Sequence, residues 1–136
     1  MKIPLVGRSR VHTLILPVVL ALGLAACGSG IDSYEDAVDA QAEVMEQMIH
    51  VLENVEDQAT ADAAVDDIEK LGEDLAAIMQ EMRKLPEPTM DELMEIGQKQ
   101  GAKMIEFQER AMPQLMKLAK YPNLSEAWMR AMQNMG

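Results

Sequence analysis

Cysteine occurs once in these 136 residues, at position 27, so no intrachain disulfide can form and the fold must be held by burial alone. Aromatic side chains are nearly as scarce, at 3% of the chain, which removes the residues that commonly fill the core of a β-sandwich. Histidine appears twice, and only His50 lies beyond the N-terminal segment. The general base that a Ser or Cys nucleophile requires is therefore almost missing. Positive charge is the fourth shortage: 12 Lys and Arg stand against 23 Asp and Glu, a formal charge of −11. A chain this acidic is a poor match to the phosphate backbone of nucleic acid, which is expected not to be a partner.

What is present points to helices. The chain carries 13 Met, and with Leu, Ile, Val and Ala they must supply the core, a composition that suits packed helices. The length allows one domain. The acidity is uneven: residues 27–86 hold 16 acids and 3 bases, whereas residues 87–136 hold 7 acids and 6 bases. The first half is thus expected to be the strongly solvated side.

Residues 1–10 carry Lys2, Arg8 and Arg10 and no acid, and Leu14 to Leu24 is apolar apart from the breaks at Pro17 and Gly23. At about 1.5 Å per residue this run spans about half of the roughly 30 Å hydrocarbon layer, too little for a transmembrane helix. A basic start followed by a short apolar stretch is the pattern of an export signal. It leads into Leu24-Ala25-Ala26-Cys27-Gly28, which resembles the lipobox of bacterial lipoprotein precursors. The resemblance covers the first 28 residues. It implies a signal peptide over 1–26, cleavage before Cys27, and a diacylglycerol on the Cys27 sulfur, the one strong nucleophile in the segment. Two or three acyl chains hold a protein stably on a bilayer where one does not. In such lipoproteins Gly28, in place of an Asp, implies the periplasmic face of the outer membrane. The mature chain, without the three signal bases, would carry −14, so the lipid rather than the protein surface would make the membrane contact.

Residues 27–32 read as a short tether and 33–136 as the domain. Ser33, followed by Glu35 and Asp36, can cap a first helix over 33–56, with Val38, Met45, Met48, Leu52 and Val55 forming its apolar stripe. Thr60 can cap a second helix over 61–85, where apolar residues from Ala61 through Ile68 and Leu75 to Leu85 alternate steps of three and four. Pro86-Glu87-Pro88 ends it, and Thr89 with Glu92 forms a capping box for a third helix. That helix carries Met90, Leu93, Met94, Met104, Ala111, Leu115 and Leu118 on one broad face, with Gly97 and Gly101 on the same side. The glycines are expected to admit a neighbouring helix closely, and Pro113 to kink or split the helix. Asn123 with Glu126 suggests a capping box for a fourth helix over 124–134. The expected fold is all-α: an antiparallel bundle of three helices with a short C-terminal fourth.

Chemistry finds little to stand on. The carboxylates have neither EF-hand spacing nor a Glu-x-x-His pair, and read as a solvated face. Catalytic residues, cofactors and a small-molecule substrate are therefore not expected. Methionine is the unusual signal, recurring as helical pairs such as Met45/Met48, Met90/Met94 and Met112/Met116. Met45 and Met48 with His50 could hold Cu(I) or Ag(I), the soft ions that thioethers prefer. Packing or a partner-binding surface explains such pairs more simply. The sequence thus suggests a non-enzymatic, lipid-anchored envelope protein that binds another protein or organises the envelope, with a periplasmic soft-metal binder as the alternative. The partner surface is expected around Trp128, Met129 and Met132, where the only Trp lies in a short helix of near-neutral charge.

Overall fold

The structure, a computed structural model, describes residues 30–134. These form α1 (Tyr34–Glu53), α2 (Gln58–Met82), α3 (Met90–Leu118) and α4 (Pro122–Gln133), and no strand occurs among the described residues. The all-α expectation of three helices and a short fourth holds. No helix among the described residues is long and apolar enough to cross a membrane.

Each of the first three helices starts on a reciprocal pair of bonds that uses otherwise orphaned N–H groups. At α1 the Asp36 amide donates to Ser33 Oγ at 3.1 Å while the Ser33 amide donates to the Asp36 carboxylate at 3.0 Å. At α3 the Thr89 amide donates to Glu92 at 2.7 Å and the Glu92 amide to Thr89 Oγ1 at 3.3 Å. The start of α2 corrects the sequence expectation. Asp57, not Thr60, is the N-cap; Thr60 reaches back from the third helical position, accepting from the Asp57 amide at 3.0 Å as its own amide donates to Asp57 Oδ1 at 2.8 Å. The helix therefore begins one turn earlier than 61, and it closes at Met82 rather than 85. Helix α1 likewise ends at Glu53 instead of 56, with Asn54 as its C-cap.

Two further expectations change. No capping box forms at Asn123 and Glu126, because Pro122 itself opens α4 and Tyr121 precedes it with no side-chain cap. Proline suits the first turn, where its missing donor costs nothing. Pro113 does not split α3, which runs on to Leu118.

The helices run up-down-up-down. Lys99 of α3 pairs with Glu35 at the start of α1, and Arg110 of α3 reaches Glu53 at its end at 3.3 Å. These two helices are thus parallel, with α2 antiparallel to both. Arg130 of α4 pairs with Glu69 of α2, and α4 runs alongside α2. In cross-section α1 lies between α2 and α3, and α4 closes the ring by packing on α2 and touching α3. Although a short turn joins α2 to α3, no Cα pair between them lies within 8 Å among the described residues.

The core follows from this ring. Met48, Leu52, Ile68, Leu75, Leu124 and Ala127 are completely buried, and no polar or charged side chain is fully buried among the described residues. The α2 seam read from sequence is the inner side of the bundle: Ala61, Ala64, Ile68 and Leu75 are buried, with Leu71 and Ile78 packed against them. At the closed end Lys117 of α3 donates to the carbonyls of Leu52, Glu53 and Val55 at 3.1–3.3 Å. A cation there satisfies acceptors that the end of α1 leaves open and complements its dipole.

Candidate functional site

Helix α3 is where the apolar pattern and the packing part company. Its seam runs through Met94, Gly97, Gly101, Met104, Phe107, Ala111, Leu115 and Leu118, the steps of three and four of a helix meant to be covered. Ala111 and Leu118 are buried, and Leu115 packs against the core. Above Phe107 the same seam is bare. Met90, Leu93, Met94, Met104 and Ile105 are 42–73% exposed, and Met112 and Met116 are exposed on its outer edge.

The length of α4 explains the break. With 12 residues against 29 in α3, α4 covers about 18 Å of a helix about 44 Å long, so it shields only one end. The expectation for Gly97 and Gly101 is overturned within the chain: a Cβ built on either meets nothing within 4 Å. The glycine that does admit a close neighbour is Gly72 in α2, which the sequence reading passed over. Its signal was the partner's spacing, because Ala127 and Ala131, one turn apart, place small side chains on the stripe of α4 that begins at Leu124. All three are buried.

Between α1 and α3 lies a cleft of about 720 Å³, with Val38, Ala42, Met45, Met104 and Phe107 supplying its apolar surface. Its polar edge holds Asp39, Glu43, Glu46 and Glu106 with one base, Lys103. Three cross-helix bonds tie α1 to α3 along this line: Lys99 to Glu35, Gln100 to Asp39 and Arg110 to Glu53. The Glu53 carboxyl is held below its ordinary range, first by its bond to His50 and then by Arg110. The Glu35 carboxylate raises the Lys99 ammonium above its usual value. These shifts belong to ion pairs at the surface that fasten α3, and none creates an acid or base poised near neutrality.

The sequence-predicted residues are dispersed. Met48 is completely buried, Met45 borders the cleft, and His50 is exposed with Nδ1 3.3 Å from Glu53. Those three therefore share no single exposed face. No group of three or more His, Cys, Asp or Glu suited to a metal occurs among the described residues. Trp128 and Met132 lean on the core and Met129 points outward, so of the expected partner surface one side chain stands free. Cys27 lies outside the described residues. Compared with known proteins, the chain matches no family model, no curated protein and no solved structure.

Proposed function

We propose that this chain is a lipid-anchored, non-enzymatic lipoprotein of the bacterial cell envelope, whose helical domain uses the uncovered face of α3 for protein–protein association. The observation that carries the reading is the placement of Cys27: it follows Leu24-Ala25-Ala26 and stands six residues before Ser33, the cap of the first helix. A chain of six residues reaches about 20 Å when extended, so an anchor at Cys27 would keep the domain within touching distance of a bilayer. The sorting pattern at Gly28 favours the periplasmic face of the outer membrane. The protein-binding part rests on the apolar seam of α3, since contiguous apolar surface of this kind marks interaction sites in proteins that otherwise bury it.

Metabolic labelling with a fatty-acid analogue tests the anchor. The parent chain is expected to take up label and to migrate as a form shortened by 26 residues, and Cys27→Ala to remain unlabelled and uncut. Equal labelling of the two would end the lipoprotein reading.

A further inference from the structure

The uncovered part of α3 reads nearly the same from both ends. Around Lys99, Gly97 stands opposite Gly101, Met94 opposite Met104 and Leu93 opposite Ile105, with Gln98 and Gln100 nearest the centre. At 100° per residue the two glycines sit in the middle of the bare stripe and the paired large side chains flank them symmetrically. A two-fold axis perpendicular to such a helix brings the stripe onto itself, each methionine meeting its counterpart and each glycine opening the space for close approach. We propose that α3 pairs antiparallel with α3 of a second copy of this chain, centred on Lys99, and that the pairing covers the seam that α4 is too short to reach.

Three further observations favour a second copy over other occupants. Five apolar side chains within reach of the pairing, Met90, Leu93, Met94, Met104 and Ile105, are 42–73% exposed. At on the order of 100 Å² for a fully exposed side chain they offer roughly 300 Å². That is about two-thirds of the non-polar share of one side of an interface of about 800 Å² per partner. Charge points the same way: residues 27–86 carry 13 excess negative charges and residues 87–136 only one. Two copies therefore repel least over α3, whereas a basic partner would be drawn to α1 and α2. Finally, the pair between Lys99 and Glu35 sets the start of α1 level with the centre of the stripe, leaving the first two turns of α3 beyond α1 as an arm. An isolated arm of this length is marginal as a helix and gains most from a partner. The two α1 starts would stand level with the two-fold axis, so two anchors can enter one membrane, although the pairing itself does not depend on the anchor.

A benzophenone side chain in place of Met104 of the full chain, irradiated in the cells that make it, tests this directly. The expected product has twice the mass of the chain, and its crosslink maps to residues 90–98 of the second copy. A Gly101→Leu variant fills space that is open within one chain, so helicity and solubility should be retained while the two-copy product falls at least about tenfold, the scale of a disrupted close contact. Crosslinking to lipid or to a different protein alone, no product from Met104, or a two-copy product undiminished by Gly101→Leu would each overturn the proposal. Fatty-acid labelling of Cys27 is a separate readout, so failure of the pairing and failure of the anchor can be told apart.

Discussion

Gly72 of α2 lies so close to Ala131 of α4 that a Cβ on the glycine would stand 2.5 Å from the alanine Cβ and 2.7 Å from its Cα. The second of those neighbours is backbone, so the overlap can be relieved only by moving a helix. Small residues on both sides make this approach, with Ala64 about two turns before Gly72 on α2 and Ala127 one turn before Ala131 on α4, all of them buried. The short fourth helix is thereby held against α2 by contact at close range, rather than by a side-chain cap at its start.

Gly72→Ala and Gly97→Ala should consequently change stability in opposite directions. Alanine gains about 1 kcal/mol of helix propensity at either site. At Gly72 the backbone clash outweighs that gain, and a net loss of about 1–2 kcal/mol is expected on the scale of overpacked cores. At Gly97, where the added methyl meets open space, dilute protein should gain up to about 1 kcal/mol. Urea unfolding of the two variants beside the parent measures both, and a stabilised Gly72→Ala would show that α4 is not seated as described.

Leu75 and Leu85 occupy the same sequence seam and should respond unequally. Leu75 is completely buried, whereas Leu85 falls in the turn after α2 and is half-buried. Leu75→Ala is expected to cost about 2–5 kcal/mol, as for other buried leucines. Leu85→Ala should cost below about 1 kcal/mol, closer to a surface change. Similar losses at both positions, in thermal or chemical unfolding, would mean that the bundle interior extends through the turn.

These contrasts show what the sequence made legible. Heptad spacing located the buried side of α2 from Ala61 to Leu75, because a helix walled by α1 and α4 must be apolar where they touch it. Thr89 and Glu92 announced α3 correctly, since Pro86 and Pro88 leave no competing start. At α2 two good caps three residues apart, Asp57 and Thr60, competed. Their reciprocal bonds decide for Asp57, a choice that composition alone leaves open. The third helix was harder for a different reason. Periodicity says that a face is apolar, not which chain covers it, and the extent of α4 settles where the cover stops. Gly72 went unseen because its meaning lies in Ala131, 59 positions away.

The capping carboxylates give the fold a defined response to acid. Asp36 is held below its ordinary value chiefly by its bond to the Ser33 side chain, Asp57 by the Thr60 amide and then its hydroxyl, and Glu92 by the Thr89 amide and then its hydroxyl. A carboxyl whose pKa is lower folded than unfolded binds fewer protons in the folded state, so its contribution is complete above the unfolded value of about 4. That contribution is lost as pH falls through the lower, folded value. Protonation also relieves repulsion among the acids crowded into residues 27–86, an opposite effect that about 1 M salt largely removes by shortening the screening length to about 3 Å. Asp57→Asn isolates the cap under those conditions, because asparagine caps a helix about as well as aspartate but does not titrate. The parent should be the more stable of the two at pH 6, and the difference should close as pH falls below about 4. Thermal unfolding at a series of pH values checks this, and a difference that stays constant from pH 6 to 3 would show that the Asp57 charge contributes nothing to the start of α2.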